Sequence, residues 1–597
     1  NNNAWEIDLS TPNEVRLVLA EKLDQCTWDG SVGNWTSAAN WSCGHVPAAG
    51  DDVVINSGTV TLNAPTNANI ATLALTGGTL SGSGNPTLSD NLTVSGGALN
   101  VNNVTVSGGL DWSGGTVGGT GTMTVANAAT ITNAPTLNTR TLRLNGGGSI
   151  ESGFNTSSGA NLVIPAGQTL TCNAGSDVTW GGTGGTLTLL SGGTLIKTGA
   201  GILTCDKQNF QNAGTIEVNE GILRMGMGGT HNSATFNLAT DAFLSVKSGS
   251  HTFTGCNFTG PGRLAVIENG AVSSFSGNTI ASNMGFNLTG TSSTFNLGQD
   301  LDMDNFFQSG AHITSGTGNI TVNGLTLFVG GALNTTGNLN INGTFNWTGG
   351  SIGSNVQTNI SPFGGSGTSS NTVVSHGSFN NSGTFTVLSG ALTLNGAFDN
   401  SGEFIIQSGA CTTYGVSTNS GTLTLESGAF TANSVFNNTY LLSVKSGTFY
   451  ANSTFNNNGG TIQGKGVIDL VGATFNNTGY VSPGFSPGIL TMTSFDNSNA
   501  YFTVELAGYD GAGQPGGHDK LVVNSPVALS GELDIYFDNF TPVIGDAFVI
   551  MSCSGGCTED FDFVYVDQEI PGAVWYIDVL SNPNEVSLAS VSAQPVE

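Results

Sequence analysis

Between residues 379 and 475 the chain repeats itself with a step of 19 residues, and no other feature restricts its fold so tightly. The stretch reads, turn by turn, FNNSGTFTVLSGALTLNGA, FDNSGEFIIQSGACTTYG, VSTNSGTLTLESGAFTANSV, FNNTYLLSVKSGTFYANST and FNNNGGTIQGKGVIDLVGAT. Ser389, Ser408, Ser427 and Ser446 each open a Ser-Gly pair. Apolar positions keep the same step: Phe385, Phe404, Leu423, Leu442; Val387, Ile406, Leu425, Val444; Leu392, Cys411, Phe430, Phe449. Within a turn these positions stand two apart, which puts them on one face of a strand. Glycine and asparagine follow at the corners, where positive φ is expected. One such coil cannot bury its apolar face alone, but stacked coils bury a continuous column. The pattern predicts an all-β chain built as a long β-solenoid.

Three short strands per turn with Asn/Gly corners point to the right-handed parallel β-helix. The rest of the middle is the same material with looser punctuation. FLSVKSGSHTFTGCNF from Phe243 restates LLSVKSGTFYANSTF from Leu441, and LDWSGGTVGG from Leu110 restates FNWTGGSIGS from Phe345, which reads as duplication of a multi-turn block. Residues 52–495 then supply roughly 23 turns and, at about 4.8 Å each, a rod of about 110 Å. In this register Cys256 and Cys411 read as buried core fillers.

Composition agrees: 89 of 597 residues are glycine and only 9% are charged, while β-branched residues run throughout, so the chain reads as folded β rather than disordered. Lys plus Arg is 12 against 40 Asp plus Glu, a net charge of -28. Such a surface repels nucleic acid and anionic lipid, and no stretch is apolar enough for membrane insertion by a helix. Divalent cations are the more natural ligands. The chain begins with Asn rather than Met, as a processed or excised segment would. Cys26 with Cys43, and Cys553 with Cys557, are spaced to close loops as disulfides, and Cys172 with Cys205 is a third candidate pair. Disulfides of this kind place the protein outside the cell or at its surface.

The ends differ from the middle. Residues 26–58 hold Trp28, Trp35 and Trp41 between two cysteines. They read as a disulfide-closed cap over the first coil, with a glycan platform of stacked indoles as the alternative. Residues 59–495 form the β-helix. From residue 496 the 19-residue period stops, and seven short alternating strands predict an antiparallel β-sandwich-like module over 496–597. Residues 1–25 carry a strand-turn-strand whose phrase returns near the C-terminus: Trp5, Ile7, Pro12, Asn13, Glu14, Val15 and Leu17 match Trp575, Ile577, Pro583, Asn584, Glu585, Val586 and Leu588. A lone two-stranded hairpin is marginal in water, so residues 4–20 need a sheet from elsewhere. Trp5, Ile7, Leu9, Val15 and Leu17, with Trp575, Ile577, Val586 and Leu588, are the candidate assembly residues.

The run W-x-x-x-x-N-W-S-x-G-x-V-P-x-x-x-D-D-V-x-I, the Gly/Asn/Thr-rich turns, S-P-G-x-S-P-G, H-D-K-L-V-V-N, G-E-L-D-I and G-D-A-F-V-I together resemble large bacterial surface and secreted β-helix proteins, of the autotransporter-passenger-like and adhesin-like kinds. The resemblance implies exposure and adhesion more than chemistry.

Chemistry itself is thinly represented. Asp300, Asp302 and Asp304 alternate with Leu301 and Met303, so their carboxylates face outward, as a solvated stripe or as oxygen ligands for calcium; no cofactor is required. The histidines form no triad-like grouping, and no paired carboxylates with a neighbouring cation suggest a lyase or hydrolase. The expectation is a non-enzymatic extracellular structural protein, a repeating subunit of a filament, sheath or stalk whose partner is itself, as head-to-tail homopolymer or tandem units. The second reading is an adhesin for glycans or a cell surface; an acidic-polysaccharide lyase or hydrolase comes third.

Overall fold

A computed structural model describes residues 4–8, 14–20, 24–266, 270–290, 292–310, 313–579 and 581–593. The chain is an all-β parallel β-solenoid of about 22 turns with about 19–20 residues per turn. It divides into two compact units, Asn1–Gln299 and Asp300–Glu597. Among the described residues the one helix is a 3-10 turn at Ala38–Asn40, and none is long and apolar enough to cross a membrane.

In the first unit each turn lays down three short strands, such as Thr72–Leu75, Thr79–Ser81 and Thr87–Leu88, and each pairs in parallel with its counterpart one turn on. Leu73, Leu92, Leu110 and Ala129 stack in register on one wall, and Leu80, Leu99, Val117 and Leu137 on the next. All eight side chains are buried, because alternation with Thr and Asn sends every second residue inward.

The second unit keeps the columns that the 19-residue step specifies. Phe385, Phe404, Leu423 and Leu442 stack in register, as do Leu392, Cys411, Phe430 and Phe449. A third wall carries Phe398, Ser417, Phe436, Phe455 and Phe475. Beside it runs a buried asparagine ladder: Asn381, Asn400, Asn419, Asn438 and Asn457 each donate Nδ2 to the Oδ1 of the asparagine one turn further, at 2.7–2.8 Å, ending on Asn477. Three of the four Ser-Gly corners need glycine for a reason other than the expected positive φ. Of the four glycines only Gly390 has positive φ, at 73°. A Cβ on Gly428 would instead sit 2.2 Å from the Gly409 carbonyl oxygen, and one on Gly447 would sit 2.1 Å from that of Gly428.

The duplicated tryptophan phrases fold alike: Trp112 Nε1 donates to Gly114 O and Trp347 Nε1 to Gly349 O, at 2.9 and 3.1 Å. Trp112 lies on the first strand of its turn and Trp347 on the second, so the two phrases are not related by a whole number of turns.

Residues 496–597 depart from expectation. They do not form an antiparallel sandwich. Tyr501–Leu506, Glu532–Phe537 and Phe563–Val566 pair in parallel with one another, and Lys520–Val523 pairs in parallel with Ala547–Cys553. The solenoid thus continues with wider turns: Phe502, Leu533 and Val564 stand opposite one another at a step of 31 residues. Alternation of apolar and polar residues is the same in parallel and antiparallel strands, and here only the connection length changed. Antiparallel pairing enters at the last two strands, Ala573–Asp578 and Glu585–Ser592.

Candidate functional site

The repeated phrase forms two hairpins with one register. In the N-terminal hairpin Ala4–Asp8 runs antiparallel to Arg16–Ala20, with Trp5 opposite Leu19 and Ile7 opposite Leu17. In the C-terminal hairpin Trp575 lies opposite Ser590 and Ile577 opposite Leu588. The matched residues therefore face the same partners in both copies, and the one extra residue is absorbed between the strands.

What holds the C-terminal copy explains why the phrase contains Pro-Asn-Glu-Val. Strand Glu585–Ser592 adds antiparallel to Ala547–Cys553, placing Val586 opposite Met551 and Leu588 opposite Phe548. Both side chains are fully buried. The turn docks on the loop closed by the Cys553–Cys557 disulfide, where the Cys557 N–H donates to Pro583 O at 2.7 Å and the Cys553 N–H to Asn584 O at 2.8 Å. Ser590 Oγ donates to Val543 O at 2.8 Å and accepts the Gly545 N–H at 3.1 Å. Val586 and Leu588 are thus core residues of their own chain and offer no surface for assembly. Trp575 and Ile577 are half-buried, with the Trp575 ring 5.9 Å from that of Phe537.

The N-terminal copy is paired differently. Among the described residues its two strands pair with each other and with no third strand. Trp5 and Ile7 lie on one strand and Leu17 on the other, whereas Leu9 lies outside the described residues. Val15 is 73% exposed, and Glu14 pairs with Arg16 at 2.8 Å. Among the described residues Ala573–Asp578 is bonded only by Glu585–Ser592, and Phe563–Val566 only by Glu532–Phe537. Phe563, Val564, Tyr565, Val574 and Tyr576 are exposed on them.

At the other end Gln25–Thr27 and Val32–Asn34 pair in parallel with the first full turn, and Cys26 is bonded to Cys43. Trp28, Trp35 and Trp41 are at most 3% exposed. Trp41 packs edge-on against Trp28 and Trp35, at 4.8 and 5.0 Å between ring centroids, and its Nε1 donates to Trp35 O. Their faces are closed to a sugar, which overturns the glycan-platform alternative. The Cys172–Cys205 pairing is overturned as well. Both are free, buried thiols on different walls, opposite Ile150 and Lys197 in one case and Trp180 and Met225 in the other. Burial raises both thiols above the ordinary cysteine value, as it does those of Cys256 and Cys411.

The acidic stripe faces outward at Asp302, between buried Leu301 and Met303. Its members do not converge on a point. Asp300 accepts from Asn319 at 2.8 Å, Asp302 from the Asn323 amide at 2.5 Å, and Asp304 from the Asn305 amide at 2.7 Å. Among the described residues the one Cys/His/Asp/Glu group close enough to share an ion is Cys26, Cys43 and His45, whose two sulfurs are already joined. The buried cations are also engaged: Arg140 donates to the carbonyls of Gly118 and Asn102, and Lys197 to those of Gly199 and Glu220.

Two buried titratable features escaped the sequence reading. His231 and His251 stack in the first unit with Nε2 and Nδ1 3.2 Å apart, among Phe210, Phe236 and Phe253. Burial holds both imidazoles below the ordinary histidine value, His251 at about 4. Their 20-residue spacing, one turn, was the available signal. In the second unit Asp519 of the His-Asp-Lys phrase accepts the N–H groups of Gly488 and Glu505 at 2.7 and 3.0 Å, clamping the Ser-Pro-Gly loop to the next strand. Burial pushes its carboxyl up to about 7. These groups brace the fold. Neither a protein-family model nor a curated protein matches the chain.

Proposed function

We propose that the protein is a non-enzymatic extracellular structural subunit, joined end to end into a filament, sheath or stalk by strand addition through its N-terminal hairpin. The observation that carries this reading is a pair of hairpins with one register and opposite surroundings: the C-terminal copy is seated on a sheet and a disulfide loop, and Ala4–Ala20 pairs with no further strand among the described residues. A two-stranded hairpin gains stability only by joining a sheet, and a second copy supplies sheet edges of the required kind. The Cys26–Cys43 and Cys553–Cys557 disulfides favour an oxidising compartment, hence the cell exterior or surface. Stacked Phe columns and the asparagine ladder give the second unit repetitive, mutually supporting turns, as a load-carrying subunit requires.

Electron microscopy of the purified full chain over a concentration series tests this. Particles that lengthen end to end as concentration rises are expected. Single particles at every concentration overturn the reading.

A further inference from the structure

The C-terminal hairpin obeys a simple rule: its second strand, Glu585–Ser592, adds antiparallel to a sheet edge, and its first strand, Ala573–Asp578, becomes the new outer edge. That outer edge carries the uncharged run Ala573, Val574, Trp575, Tyr576 and Ile577, ending at Asp578. It has neither the lysine nor the proline that blunts exposed edges in monomeric β proteins. Val574 and Tyr576 are 51% and 44% exposed on one of its faces. Among the described residues there is thus a sheet whose last strand has one neighbour and a hairpin with no third strand, and the hairpin matches in sequence and register one that this same sheet already accepts.

We propose that the outer edge of this strand, along residues 574–577, receives strand Arg16–Ala20 from a second copy of this chain, antiparallel, so that the joint repeats the rule by which the C-terminal hairpin is seated. This rests on the end-to-end reading above and adds the address of the contact. Two alternatives are weaker. Displacing Glu585–Ser592 from Ala547–Cys553 would free one hairpin for each one bound, with no net gain in paired backbone. It would also place Leu19 where Ser590 bonds Val543 and Gly545. The parallel edge Phe563–Val566 belongs to the wall of wide turns, whose strands all pair in parallel, whereas both hairpins here pair antiparallel. Adding a strand along residues 574–577 would pair backbone groups that no strand meets among the described residues.

Hydrogen exchange on the full chain, dilute and concentrated, tests the address. On association the amides of 16–20 and 573–578 should slow together, with those of 563–566 unchanged. The full-length V574K/Y576K variant, altered at two exposed positions, should associate about tenfold more weakly or worse, because lysines on an edge oppose strand addition. Slowing of 16–20 without 573–578, or undiminished association of V574K/Y576K, overturns this address and leaves the end-to-end reading standing. A chain that stays monomeric at every concentration overturns both.

Discussion

The two hairpins share a sequence phrase and a strand register, yet one is paired into a larger sheet and the other, among the described residues, pairs with no third strand. The difference lies in what receives them. At the C-terminus the Ala547–Cys553 edge pairs with the backbone, Phe548 and Met551 cover Leu588 and Val586, and the disulfide loop bonds the carbonyls of Pro583 and Asn584. At the N-terminus Val15, the counterpart of Val586, is open to solvent. The C-terminal hairpin thus draws its stability from the sheet and loop that receive it.

The largest break in that comparison comes from one truncation in each hairpin. Leu588→Ala should destabilise the second unit by about 2–5 kcal/mol in denaturant unfolding, as buried leucines do. Val15→Ala should change the unfolding of the isolated chain by under about 0.5 kcal/mol, while weakening association. Equal effects on unfolding would mean that the N-terminal copy is seated after all.

Acid should separate the units that carry the two hairpins. The unfolded histidines take up protons near pH 6.5, but His251 in the folded chain only near 4. Their contribution is complete above pH 6.5 and is lost as pH falls towards 4, by about 3 kcal/mol for His251 alone. Asp519 has the opposite sign, because its folded value is raised to about 7. It favours the folded state at low pH and loses that contribution as pH rises through 7. Amide protection, measured relative to the intrinsic exchange rate at each pH, should therefore fall around residues 228–256 and rise around residues 484–523 between pH 7 and 4.

The smallest effect sharpens the comparison most locally. Replacing Cys553 and Cys557 with serine removes a constraint worth about 2 kcal/mol for so short a loop and loosens the N–H donors that hold Pro583 and Asn584. Exchange should quicken across 573–592 and remain unchanged across 4–20.

Much of the fold was legible because the 19-residue step fixes both the strand and the face. Phe385, Phe404, Leu423 and Leu442 could be aligned from spacing alone, and the structure stacks them. The 496–597 region was misread because alternation is blind to strand direction, and a 31-residue step sampled three times does not announce itself as a period. Cys172 and Cys205 stand close enough in sequence to suggest a bond, but a spacing does not say which wall each thiol faces. Three tryptophans between bonded cysteines read alike as a cap or as a sugar platform until their burial is known. The repeated Pro-Asn-Glu-Val was visible from the outset. Its partner, the Cys553–Cys557 loop, is a contact between distant residues that no local pattern encodes.

Sedimentation velocity of the full chain beside a chain lacking residues 1–22, over the same concentration range, tests the central claim most directly. The account predicts that the full chain sediments faster as concentration rises while the shortened chain, still folded by circular dichroism, keeps one unchanging boundary. Identical association by the two chains would contradict it.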